Sequence, residues 1–304
     1  MSLAEVAPFH ALIMASELLA DVYISPAVPM RRPDGQVIGL WSPIACTLIH
    51  GPKSAVLVNA PFTIAETESL ADWISSTLGR KNLTAVYISH GVHDFLLGLP
   101  TLRKRFPDIK TFCTQETLDA MKHSLKPKVL AAFAAQFPGQ IDQQPPVEQA
   151  AELLPPSNEL EVDGHKLQAI VAGQGAVADS TIIWVPSLRL AVCGTIVYGS
   201  VHLMQVGAAT KEKRQAWIAA IEKVEQLAPT SVVAAHQKPG EIQGIWHLQR
   251  TKEYLKNFGD LIESGQVKNA KELSTAMMEI YPDRLNSGAL IISSRAALPK
   301  PTRL

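Results

Sequence analysis

Charge of one sign, close cysteine pairs and long apolar runs are all missing from this chain of 304 residues. Lys plus Arg and Asp plus Glu number 28 each, so no net field draws nucleic acid or an anionic membrane to the protein. Cys46, Cys113 and Cys193 stand far apart with no CxxC spacing, which excludes a disulfide framework or a zinc knuckle and predicts reduced, buried thiols. No uninterrupted apolar run reaches roughly the 18 residues of a spanning helix, and the first residues lack a basic, then apolar, secretory pattern. A cytoplasmic protein that acts on a small molecule is the expectation. Ser89, Ser180 and Ser187 do not sit in a Gly-x-Ser-x-Gly elbow, and neither a P-loop nor a Gly-x-Gly-x-x-Gly run occurs. Serine hydrolase and dinucleotide classes are thereby unsupported, and no cofactor is expected.

What is present is apolar mass with clear periodicity. Hydrophobic residues make up 47% of the chain, enough for one large core, and residues 1–304 are expected to form a single domain. β-Prone runs cover 20–24, 45–50 and 55–59, with Gly51-Pro52 as a hairpin signal between the last two. Thr63 and Glu66 have capping-box spacing ahead of a stripe of Leu70, Trp73, Ile74 and Leu78, and Gly79 is the stop. A strand is expected over 83–88, a helix over 99–106, a strand over 110–114 and helix over 116–137. Residues 138–158, rich in Gln, Pro and Glu, read as linker or lid. Strands at 164–172, 180–185 and 190–193 follow, then a helix over 211–227, a strand over 231–235 ending at His236, and a C-terminal helical segment over about 245–285. This order predicts an α/β fold of two packed sheets with helices outside.

The most informative stretch is Ser89-His90-Gly91-Val92-His93-Asp94-Phe95-Leu96-Leu97-Gly98. It resembles the His-x-His-x-Asp-His signature of the metallo-β-lactamase superfamily, with Val92 and Phe95 at two histidine positions. Four further stretches resemble that superfamily in the same order: the strand ending at Asn59, the Gly173-Gln174-Gly175 turn, the strand running into Thr195, and the strand ending at His236. The resemblance spans roughly residues 17–285 and implies a four-layer αββα sandwich of two mixed sheets.

Carried over by position, the resemblance makes His90 a ligand of one metal, with Val92 and Gln174 in place of its partner histidines. Asp94 and His236 match ligands of a second metal, and Phe95 replaces the third. Thr195 stands where a bridging Asp is expected, and Asn59 where an Asp orients the loop. Zinc hydrolysis needs about three protein ligands and an open place for water, and these departures leave too few, so the expected metal content is none. A mononuclear site of His90, Asp94 and His236, helped by His93, is the remaining metal reading.

The groups able to exchange protons point instead to acid/base chemistry. His90, His93, Asp94 and His236 are the catalytic candidates, with Tyr198 and His202 as further candidates just past Thr195. Val92, Phe95, Gln174, Thr195 and Asn59 are expected to shape or bind the substrate. Hydrolysis of an ester or lactone type of bond, elimination, isomerisation or cyclisation all fit such a set; a pseudoenzyme that binds without turnover is the contrasting reading. His10, His50, His123, His165 and His247 are expected to be surface or structural residues.

Overall fold

The computed structural model describes residues 18–299, so His10 lies outside the described residues. The chain begins with β1 (Leu19–Ile24), then a hairpin of β2 (Val28–Arg31) and β3 (Val37–Trp41), and continues through β4 (Ala45–His50) and β5 (Ser54–Val58). Gly51 and Ser54 close the β4–β5 turn with a 2.9 Å backbone hydrogen bond. Helix α1 (Ile64–Leu78) follows, capped by Thr63, whose hydroxyl accepts from Glu66 N–H at 3.3 Å. Gly79 ends it at φ 59°, in the left-handed region that glycine enters without a Cβ penalty.

Next come β6 (Asn82–Tyr87), α2 (Leu99–Arg105), β7 (Lys110–Cys113), α3 (Gln115–Ser124) and α4 (Pro127–Ala134). The expected helix over 116–137 is therefore two. Pro127 opens α4 in its first turn, where a missing N–H is harmless, and it disfavours helical geometry at the residue before it. Residues 138–158 are mostly irregular, as a linker would be, with one short strand among them. Their Pro pairs bracket the short strand β8 (Glu152–Leu153), which extends the first sheet beside β7.

The second half holds β9 (Glu159–Val162), β10 (His165–Gly173), β11 (Ser180–Val185), β12 (Leu190–Val192), α5 (Lys211–Gln226), β13 (Ser231–Val233), α6 (Trp246–Glu263) and α7 (Ala270–Ile280). A last helix, α8 (Ser287–Ala297), lies beyond the helical segment read from the sequence. Its Asn286 cap takes left-handed backbone at φ 60°, which hydrophobic periodicity does not signal.

The first sheet has order β1-β4-β5-β6-β7-β8, and the second β13-β12-β11-β10-β9. Alternation along β5 builds the layers: Val56 and Val58 face the second sheet, while Ala55 and Leu57 face the helices. Ile49, Tyr87, Leu167, Ile183 and Val233 join the inter-sheet core. Trp217, Ile221 and Phe258 seal the second sheet under α5 and α6. The result is the expected αββα sandwich. Cys46, Cys113 and Cys193 are buried and free. No helix among the described residues is long and apolar enough to cross a membrane.

Candidate active site

Strand ends converge at one end of the sandwich. β6 runs into the loop that carries His90 and the short 3₁₀ turn His93–Phe95. β12 runs into Thr195, and the chain after β13 delivers His236, which bridges to Tyr198. The loop packs hard against α3: a Cβ at Gly91 would stand 2.4 Å from the Met121 amide nitrogen. Asn59, left-handed at φ 65°, accepts from Ser89 N–H at 2.9 Å and ties the loop to β5. Asn tolerates this backbone region better than most residues.

His90, Asp94 and His236 border a cavity of about 90 Å³, with Val92, Thr195 and Tyr198 also on its wall. Asp94 is 5% exposed. Its Oδ2 accepts from Trp41 Nε1–H at 3.3 Å and lies 3.5 Å from His236 Nε2. Its Oδ1 is buried with no hydrogen-bond partner among the described residues.

The two histidines hold opposite tautomers. Val92 N–H donates to His90 Nδ1 at 3.2 Å, so the neutral His90 ring carries its proton on Nε2. Pro43 C=O accepts from His236 Nδ1 at 2.9 Å, so the neutral His236 ring leaves Nε2 bare, facing Asp94. Burial pushes His90 down to about 4 from 6.5, although Asp94 opposes the shift. Burial lowers His236 as well, again against Asp94 and the Pro43 carbonyl.

Phe95 occupies the space between these rings. It stacks on His90 at 4.5 Å and 16°, and on His236 at 5.4 Å and 27°. Tyr198 continues the pile at 5.2 Å from His236. A phenyl group at the centre fills volume that ions would need and supplies no electron pair. Among the described residues no group of three or more His, Cys, Asp or Glu is placed to hold a metal ion. The residues present therefore do not fit the two-metal centre that the fold implies.

Several sequence candidates lie elsewhere. His93 turns away from the cavity: its Nε2 pairs with Ser124 C=O at 2.9 Å and its ring stacks on Phe133. His202 Nδ1 meets the Tyr254 hydroxyl at 2.9 Å behind the wall. Gln174 spends its amide on Gly175 and Gly207 carbonyls. Phe95 and Asn59 support the site without lining the cavity. Tyr198 does line it, but burial raises its phenol far above the ordinary value, which disfavours release of its proton. His50, outside the site, is a structural residue as expected, buried between Asp21 and Lys81.

Trp41, Ser42, Met204 and Asn286 also line the cavity, and sequence reasoning missed them. Trp41 ends the β2–β3 hairpin, and Asn286 donates to Ser42 Oγ at 2.6 Å from the cap of α8. The Trp in an exposed, alternating hairpin was the one available signal. Asn286 had none.

The buried imidazoles make stability depend on acid. His90 and His202 both fall to about 4 from 6.5, and His93 and His247 are lowered by the same burial. Between those values the unfolded chain binds protons that the native rings refuse. Unfolding free energy is thus expected to be flat above pH 6.5 and to drop as pH falls toward about 4. Urea titrations across this range check the slope; an unchanged unfolding free energy at pH 7 and 4.5 would contradict it.

No family model matches the chain. It is 22% identical over 213 residues to metallo-beta-lactamase type 2 of Bacteroides fragilis, covering 69% of this chain and 74% of that protein. Among solved structures, a metallo-beta-lactamase from Pontibacter korlensis aligns with TM-score 0.53 and 19% identity, over 79% of this chain and 100% of that one. The DIM-1 metallo-beta-lactamase exposed to ceftazidime aligns at TM-score 0.56 and 19% identity, over 79% and 97%. The chain has the metallo-β-lactamase fold, as its five partial motifs imply.

Proposed function

We propose that this protein is a hydrolase-like small-molecule enzyme that works without a metal, through His236, His90 and Asp94. The observation that carries the reading is the pair of opposite tautomers on one cavity: an unprotonated Nε2 on His236 and a protonated Nε2 on His90. His236 takes a proton from water, and the hydroxide adds to a carbonyl of an ester or lactone. His90 N–H stabilises the oxygen that gains charge. The imidazolium on His236 then returns its proton to the leaving oxygen. Asp94, 3.5 Å from His236 Nε2, stabilises that imidazolium, while the Pro43 carbonyl fixes the ring. The same base, acting on a carbon acid, would support elimination or isomerisation.

A ligand-binding protein without turnover is the second reading. It is favoured by the Phe95 ring packed against both histidines, which restricts their movement at the centre.

The test uses the purified chain on small esters, lactones, thioesters and elimination substrates, with and without chelator. Turnover and the melting temperature are both expected to be unchanged by chelator, since no native-state ligand is removed. A drop of several degrees that zinc reverses, or activity that appears only with added zinc, would overturn the metal-free reading. Ligand binding with no turnover across all these classes would favour the second reading.

A further inference from the structure

Asp94 is a carboxylate in a pocket with little to balance it. It is 5% exposed, its Oδ1 has no partner among the described residues, and it borders the cavity. A buried charged oxygen without a hydrogen bond costs free energy that an incoming donor recovers. The two neighbours of Oδ2 are an indole N–H and an imidazole, and no Lys or Arg lines this cavity. A metal centre would present positive charge here; this one presents negative charge.

The surroundings extend that sign. A second, larger cavity of about 480 Å³ lies beside the first, and His90, Val92 and Val177 line both. Its border carries Glu116, Asp119 and Asp179 together with His123, and again no Lys or Arg. Asp119 is offset by Lys122 at 2.6 Å, but Glu116 and Asp179 form no ion pair among the described residues. Clefts lined by one sign concentrate ligands of the other.

We propose that the site takes a small cationic molecule, one bearing an ammonium group, which the Asp94 carboxylate receives and which enters past Glu116 and Asp179. This rests on the reading that the Asp94 cavity is the substrate site. The inner cavity admits only the cationic end and a few carbons, and the remainder of the molecule lies in the outer one. Carboxylate ligands are disfavoured by the same charges.

The experiment compares n-propylammonium, propionate and propan-1-ol, probes of nearly equal size, by calorimetric titration and thermal shift of the full chain at fixed ionic strength. Saturable binding of n-propylammonium is expected, with propionate and propan-1-ol at least roughly 10-fold weaker, the scale of a charge-assisted hydrogen bond. Asp94→Asn should weaken the ammonium by a similar factor. Glu116→Gln with Asp179→Asn should weaken it less, and only at low salt. Equal or tighter binding of propionate by the native chain overturns the proposal, and that comparison needs no variant to fold. Ammonium binding that Asp94→Asn leaves intact also overturns it. Specific ammonium binding by a chain that turns nothing over would defeat the catalytic reading and leave this one standing.

Discussion

Replacement of His236 by alanine is expected to slow turnover by roughly 10²–10⁴-fold, the usual worth of one positioned proton-transfer group. The base is lost outright, since among the described residues His90, the other histidine on this cavity, has its Nδ1 taken by Val92 N–H, and His93 and His202 are engaged elsewhere. His90→Ala removes the donor and should fall in the same range. Asp94→Asn keeps the shape and the contact with Trp41 but not the charge that stabilises the imidazolium. Its expected signature is a fall in kcat with the acidic limb of the pH–rate profile moved to lower pH, because Asp94 holds the His236 value up against burial. Steady-state kinetics on the first substrate found, with circular dichroism to confirm folding, decide the matter. Near-normal rates in all three variants would reject the mechanism.

Phe95→Ala is expected to cost about 3–5 kcal/mol of unfolding free energy, the range for a buried phenylalanine truncated to alanine. Phe95 is fully buried and touches the two histidine rings on its two faces. Its removal opens a void beneath the cavity and frees His90 and His236 to tilt, so activity should fall with stability. Denaturant unfolding of the variant measures the cost; a loss under about 1 kcal/mol would mean that the loop collapses to fill the space. Phe95→Leu, which restores part of the volume but not the flat faces, should recover much of the stability and less of the rate.

The layers of the fold were legible because periodicity and punctuation agreed. Thr63, Gly79 and the Leu70–Ile74 stripe mark α1 in the sequence, and the cap and the buried face occur where they predict. The break at Pro127 and the small strand β8 were misread for one reason: proline-rich stretches signal interruption, not what resumes afterwards. His90, Asp94 and His236 could be placed on one cavity from order and resemblance. Side-chain direction could not. Whether His93 points inward depends on α3 and α4, which offer it the Ser124 carbonyl and the Phe133 ring, and neither partner is adjacent in sequence. Trp41 and Asn286 reach the cavity from opposite ends of the chain, a convergence that a local pattern does not encode.

The Phe95 stack also changes when the centre comes into being. Ions that bridge histidines can leave, and the spacing of the rings then relaxes until another ion arrives. A phenyl ring belongs to the backbone that carries it and cannot dissociate. The separation of His90 and His236 is set in the same event that folds the loop between β6 and α2. On the metal-free reading proposed above, maturation of the centre is a first-order process, with a rate independent of the concentration of anything outside the chain.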